Sequence, residues 1–407
     1  MGDLLSESRI PGSNGAEAQK LSVRLYGRGV VPKINDRRGS AATKYYRRRA
    51  GQLIYSKLDF LNGAFGIIPP ELDGYESTLD LPCFDINAEV DKEWLLALLT
   101  QPAFYGRYKV SAVGSRKARR VGVGEFLASR VTIPGPAEQR AIARILGAVD
   151  DMIRKTESLV AQLETVKKAA MTELLSHGLP GRHMEYKKTP FGRIPVTWDI
   201  RRVGELAKFS GGHGFRPPDW SDEGLPIIRI QNLNGSPKFN YFAGKTDPRW
   251  IVEPGTLLFA WAGTRGVSFG PTIWNGPTGV LNQHIYRVEP KAGVERLFLY
   301  WALWRITTRI ERKAHGFKTT LVHVQKSDIT DAVVPLPPRG EQCAIAAAGA
   351  SLDGRLAAER RYLEQLRTAK RGLAQALLSG RIRVGGAGNV LQHHLDKPPV
   401  SEEVNHA

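Results

Sequence analysis

Residues 133–176 read IPGPAEQRAIARILGAVDDMIRKTESLVAQLETVKKAAMTELLS, and residues 336–379 read LPPRGEQCAIAAAGASLDGRLAAERRYLEQLRTAKRGLAQALLS. Aligned at a constant offset of 203 with no gap, they share Pro134/Pro337, Glu138/Glu341, Gln139/Gln342, Ile142/Ile345, Asp150/Asp353, Lys167/Lys370 and the closing Leu-Leu-Ser. A repeat of this quality announces a duplicated architecture. Each copy also has an apolar 3-4 alternation, the pattern of a helical seam. In the first copy it runs through Ile142, Leu146, Val149, Ile153, Val160, Leu163 and Leu174, and in the second through Ile345, Leu352, Leu356, Leu363, Leu366, Leu373 and Leu377. Polar residues interrupt both seams at equivalent places, Thr156/Glu359 and Lys167/Lys370, as register-setting positions do. Pro134 and Pro136 with Glu138, and Pro337 and Pro338 with Glu341, mark the starts, while Gly178 with Pro180 and Gly380 mark the ends. Two long helices lying on each other within one chain are expected. At ~1.5 Å per residue the seam from Ile142 to Leu174 is about 48 Å long. Gly349, Gly354 and Gly372 each weaken the second helix by ~1 kcal/mol relative to alanine.

Outward from the helices, a weaker echo appears at an offset of 204. Ala50-Gly-Gln-Leu-Ile-Tyr55 answers Pro254-Gly-Thr-Leu-Leu-Phe259, and Val90-Asp-Lys-Glu-Trp-Leu95 answers Val294-Glu-Arg-Leu-Phe-Leu299. The scaffold is shared and the filling differs, so the order is domain, helix, domain, helix. The boundaries read as a first domain over 1–133, a helix segment over 134–183, a second domain over 184–333, a second helix segment over 334–383 and a flexible tail over 384–407. The chain has 407 residues, with 42% hydrophobic and 24% charged residues, a globular composition that excludes wholesale disorder. No apolar run approaches the ~20 residues of a membrane span, and the cytoplasm is the expected compartment. Cys83 and Cys343 form neither a disulfide framework nor a zinc spacing, and both are expected to be buried.

The net charge of +18 is the footprint of a polyanion-binding surface. It is concentrated in the two domains, with +6 in residues 1–133 and +8 in residues 184–333. Cations in the first domain cluster at Arg37 and Arg38, at Lys44, Arg47, Arg48 and Arg49 around Tyr45 and Tyr46, at Lys57, and at Arg116, Lys117, Arg119 and Arg120. In the second domain Arg216, Arg229, Gln231, Asn232, Asn234, Arg265, Asn282, Gln283 and Lys318 carry donors and acceptors suited to phosphates and base edges. Seven of the eight tryptophans lie there too, most of them expected in the core.

Catalytic and metal-binding constellations are missing from the sequence. Gly316-Phe-Lys-Thr-Thr320 lacks the glycine spacing of a phosphate loop, Gly211-Gly-His-Gly214 does not match a dinucleotide fingerprint, and no metal-ligand motif is found. Nor does Phe215-Arg-Pro-Pro-Asp219 have the order of an amino-methylation motif. Catalysis is expected to belong to partners.

With Ile133-Pro-Gly-Pro-Ala-Glu-Gln139 and Val334-Pro-Leu-Pro-Pro-Arg-Gly-Glu-Gln342 each opening a long helix, the chain resembles the specificity subunit of type I restriction-modification enzymes. Gly51-Gln-Leu-Ile-Tyr-Ser-Lys57, Leu281-Asn-Gln-His284 and Lys326-Ser-Asp-Ile329 add to the likeness. The resemblance implies two α/β target recognition domains joined by two long antiparallel coiled-coil-like helices in a pseudo-two-fold arrangement. Each domain would read half of an asymmetric, bipartite site in double-stranded DNA, with the helices as a ruler; one turn of duplex is ~34 Å. It further implies two modification subunits that bind S-adenosylmethionine, and restriction subunits that use ATP and Mg²⁺, with no cofactor in this chain. One departure stands out. Gly204-Glu-Leu206 answers Gly2-Asp-Leu4, so residues 187–203 have no counterpart in the first half. A first domain shortened at its N-terminus, one begun at another codon, and one completed by the C-terminal segment all fit. Two other classes remain open: a helical interaction scaffold without DNA readout, and an enzyme with an unrecognised site.

Overall fold

The computed structural model describes residues 1–34, 39–110, 119–264, 266–312 and 321–384, the side chains of residues 321 and 322 excepted. The chain divides into two compact units, one built from 1–157 and 362–407, the other from 158–361. Two long helices, Pro136–His177 and Arg339–Leu378, each run from one unit into the other.

In the first unit, strands Leu5–Ser8, Cys83–Ile86, Leu53–Tyr55 and Phe65–Ile67 form an antiparallel sheet in that spatial order. Near-continuous apolar strands such as Leu53-Ile54-Tyr55, all fully buried, are what a sheet covered on both faces requires. Tyr55 packs on Phe84, Phe60 and Phe126 with ring centroids 5.0–5.8 Å apart. Helix Lys92–Leu99 starts at Asp91, whose carboxylate accepts from the backbone N–H groups of Glu93 and Trp94, an ordinary N-cap. Ile142 and Leu146 of the first long helix, and Ala374 and Leu377 of the second, complete this core. A smaller sheet of Ile10–Asn14, Lys44–Arg47 and Glu76–Ser77 carries the Lys-Tyr-Tyr-Arg run.

The second unit repeats the plan. Strands Ala207–Gly211, Ile285–Pro290, Leu257–Ala260 and Gly270–Ile273 form the corresponding antiparallel sheet, and helix Arg296–Glu311 starts at the cap Glu295. A further sheet orders Tyr241–Phe242, Leu225–Ile228, Gly279–Leu281 and Ile251–Val252. Its two central strands, Leu225–Ile228 and Gly279–Leu281, are parallel, with Ile227 opposite Val280 and Ile228 opposite Leu281. Residues 187–202, which have no counterpart in the first half, build a hairpin (Tyr186–Thr189 with Gly192–Pro195) and a strand, Asp199–Arg202, paired with Val333–Leu336.

The Glu-Gln pair that opens each long helix has a structural task. Gln139 and Gln342 are both 2% exposed. Each accepts at Oε1 from the N–H of the cap residue of its unit's globular helix: Asp91 at 2.8 Å, Glu295 at 2.9 Å. Each donates from Nε2 to its own entry proline, Pro134 or Pro337, at 2.9 Å. One side chain thus fixes both helix starts, which accounts for the glutamine's recurrence in the repeat. Its neighbour Glu341 is fully buried and accepts from Trp198 Nε1 at 3.0 Å and the Leu179 N–H at 3.2 Å, with His183 Nε2 at 2.8 Å. Glu138 accepts from the Val384 N–H and pairs with Arg383.

Within each unit the two long helices run antiparallel. In the first unit Asp150 meets Lys370, and Glu157 meets Arg367 at 2.7 Å; in the second Lys167 meets Asp353 and Glu164 meets Arg360. Ile142, Leu146, Ile345, Leu356, Leu363 and Leu377 are buried, while Val149, Ile153, Val160, Leu163, Leu352, Leu366 and Leu373 are half-buried. Leu174 packs against the second core from its edge. It is half-buried like much of the seam, while its neighbours Met171 and Leu175 are fully enclosed in that core, because a 3.6-residue helix drifts off a 3.5-residue repeat. Cys343 is exposed, against expectation, whereas Cys83 is buried; position 343 lies on the helix face turned away from the buried Gln342 and Ile345. Among the described residues no helix is long and apolar enough to cross a membrane.

Candidate nucleic-acid interface

The cations of the first unit separate by strand geometry. Lys44 and Arg47 are exposed on Lys44–Arg47, with Tyr45 and Tyr46 half-buried between them, and Arg49 is exposed just beyond. The Lys20 ammonium lies 5.7 Å from the Tyr45 ring centre. Arg48 corrects the sequence reading. It is 1% exposed; Nε donates to Ser77 Oγ at 2.8 Å and Nη1 to the Ser8 carbonyl at 2.8 Å. Burial pushes its guanidinium below the usual arginine range, and a cation enclosed in this way ties strands together and cannot reach a phosphate. Lys57 is half-buried beside the Asp80 and Val121 backbone. Arg119 and Arg120 are exposed: Arg119 donates to the Lys109 carbonyl, and Arg120 lies 3.6 Å from Asp80. Arg37, Arg38, Arg116 and Lys117 lie outside the described residues.

In the second unit the parallel strands Leu225–Ile228 and Gly279–Leu281 end side by side. Their C-terminal ends deliver Arg229 and Asn282 to neighbouring positions, with the Asn282 N–H donating to the Ile228 carbonyl at 3.0 Å. Parallel sheets characteristically offer ligands the carboxyl ends of their strands. A third segment joins from Gly211-Gly-His-Gly214: the His213 N–H donates to the Leu281 carbonyl at 2.8 Å, and His213 bridges to Asn282. Gly212 is required here because any Cβ would collide with the Leu281 and Asn282 carbonyls. The His213 ring stacks on Trp250, with centroids 4.2 Å apart and 27° between planes.

Arg216, Gln231, Asn234 and Gln283 are exposed, Arg229 and Asn282 half-buried, and Arg265 and Lys318 lie outside the described residues. Asn232 is corrected to a turn former. It is 5% exposed, accepts from the Arg229 N–H and donates to the Ser236 and Lys238 carbonyls, so no edge is left for a ligand. Behind Gln283, Trp261 donates from Nε1 to its carbonyl and packs on His284, whose pKa is pushed down by burial and by the neighbouring His323. His213, Trp220 and Trp250 were not among the sequence candidates. The glycine run around His213 was the available signal, since glycines at close backbone approaches bracket it. No group of three or more metal-ligating side chains occurs among the described residues.

Comparison with known proteins agrees with this geometry. Residues 195–368 match the family model of the type I restriction modification DNA specificity domain. A Methanocaldococcus jannaschii protein assigned as the type I restriction enzyme MjaX specificity subunit is 27% identical over 308 residues, 73% of this chain and 69% of that protein. The MjaVIII specificity subunit of the same organism is 24% identical, over 63% of this chain and 62% of its own length. The S subunit of the type I restriction-modification system of M. genitalium has the same fold, with a TM-score of 0.53 at 14% identity, over 93% of this chain and 94% of that one. A chain from a structure describing complex assembly and conformational transition of the type I R-M system gives 0.59 at 18% identity, over 94% and 97%. Over residues 195–368 the chain matches the type I restriction modification DNA specificity domain, and over most of its length it is similar to type I restriction enzyme specificity subunits.

Proposed function

We propose that this chain supplies sequence specificity to a type I restriction-modification complex and catalyses nothing itself. The recognition domains, 1–133 and 184–333, each address one half of a bipartite site in double-stranded DNA, and the helix segments 134–183 and 334–383 dock two methyltransferase subunits and, through the assembly, the restriction subunits. S-adenosylmethionine, ATP and Mg²⁺ belong to those partners, and the complex works in the cytoplasm.

The observation that carries this reading is the doubled use of one framework with unlike surfaces. Gln139 and Gln342 make the same two hydrogen bonds in the two units. Yet the first unit presents Lys44, Arg47 and Arg49 on an antiparallel strand, and the second presents Arg229, Asn282 and His213 at the end of parallel strands. Unlike loops on a common scaffold suit unlike half-sites, because phosphate contacts position a protein whereas base-edge contacts specify sequence.

The test is selection from a random-sequence duplex library by the full chain together with its modification subunit. A two-part motif with a fixed gap is expected, with log K falling linearly as log salt rises. Failure to enrich any such motif would sink the proposal, and binding insensitive to salt would leave the two basic surfaces without a polyanion.

A further inference from the structure

Arg229 stands out among the cations of the second unit. Its guanidinium lies 4.5 Å from the centre of the Trp220 ring, and Trp220 is itself 39% exposed. Its Nε has no hydrogen-bond partner and is shielded from water. Arg249 is fork-bonded to Asp247, and Arg287, whose Nε is likewise unpartnered, is held through its terminal nitrogens by Glu289 and the Ile251 carbonyl. An indole beneath a guanidinium fixes its plane without using its N–H groups. Arg229 is therefore oriented by stacking, while its hydrogen-bonding edge remains uncommitted.

The backbone holds this side chain at the end of the parallel strands. The Arg229 N–H is taken by Asn232 Oδ1 at 3.0 Å, and the preceding Ile228 carbonyl by the Asn282 N–H. Asn282 in turn is bridged by His213, whose ring lies on Trp250. The result is a corner where Arg229, stacked on Trp220, lies next in chain to the strand end that meets Asn282, whose Oδ1 is taken by the Gln283 N–H.

We propose that Arg229 reads a guanine in the half-site addressed by the second unit, with Trp220 as its positioning residue. A planar fork donating two parallel N–H groups matches guanine O6 and N7 and no other base-pair edge in the major groove. The inference rests on the reading of the chain as a DNA-specificity subunit and names one base within it.

The experiment is the same duplex-library selection, run with the full chain and its modification subunit, for the unaltered protein and for Arg229→Gln, Arg229→Lys and Trp220→Leu, with thermal melting as a folding control. Arg229→Gln and Arg229→Lys should each lower discrimination at a single G·C pair about tenfold, leaving the other half-site and the gap as they were. Trp220→Leu should weaken preference at that same pair with its melting temperature unchanged. Three results would overturn the inference: an unaltered protein whose motif holds no G·C pair in either half, unchanged discrimination in Arg229→Lys, or a loss in Arg229→Gln spread evenly over all sequences and restored by lysine, which marks a phosphate contact. If the unaltered protein enriches no motif, the parent reading has failed, and the variants are not the cause.

Discussion

Gly349 and Gly354 sit five residues apart on one helix and act in opposite directions. A Cβ at Gly349 would run into the Trp301 indole, which is 2% exposed in the second core and has the Lys167 ammonium 5.1 Å from its ring centre. The glycine therefore makes room for the largest side chain packed on the helix. Gly354 and Gly372 have open space where a Cβ would go, and they only raise the conformational freedom lost on folding. Gly354→Ala and Gly372→Ala should each raise stability by about 0.5–1 kcal/mol in denaturant titration, whereas Gly349→Ala should lower it by about 1–3 kcal/mol through overpacking. A stabilising Gly349→Ala would show that Trp301 is not seated there. The uniform penalty expected for all three glycines thus holds only where nothing crosses the helix. Arg48 is a similar case: its neighbours Arg47 and Arg49 face solvent while it anchors Ser8 and Ser77, because successive residues of a strand point to opposite faces.

At the scale of the helix pair, apolar contact and charge select the same register. Glu157 and Glu164 lie on the first long helix, and the positions equivalent to them by the repeat are Arg360 and Arg367 on the second. The observed contacts are Glu157 with Arg367 and Glu164 with Arg360. Pairing either helix with another copy of itself in this geometry would set Glu against Glu or Arg against Arg, so the charges favour one helix of each kind. The gain per pair is small, since the partners are roughly half exposed. A double-mutant cycle on Glu157→Arg and Arg367→Glu should give a coupling of about 0.2–1 kcal/mol, declining as salt rises. A coupling of zero at low salt would remove charge from the account and leave register to the apolar seam. Lys167 with Asp353 and Lys370 with Asp150 add a second, repeat-related set, and these are the polar seam lysines that the sequence singled out.

For the whole molecule, each long helix contributes residues to both units, so on the proposed reading of a bipartite site the helix length is the natural variable. Inserting about four residues, close to one helical turn, at repeat-equivalent places in both helices should change the tolerated gap between half-sites and leave the half-sites themselves intact, as read by duplex-library selection. An unchanged gap would count against the helices as a spacer.

The repeat and the two long helices were legible in the residues from 133 to 176 and their second copy, because helical periodicity and end signals are local properties of a sequence, whereas the antiparallel arrangement and the α/β halves were implied by the family resemblance. The candidate surface was legible only by residue type. Which cations face water, what Gln139 and Gln342 hold, and how the Gly211–Gly214 run comes to lie beside Asn282 all depend on contacts between residues tens to hundreds of positions apart. Sequence alone determined that this protein is a duplicated pair of basic domains on paired helices. Tertiary structure decided that Arg48 and Asn232 are framework while Arg229 keeps a free edge, since burial and hydrogen-bond satisfaction belong to the assembled fold.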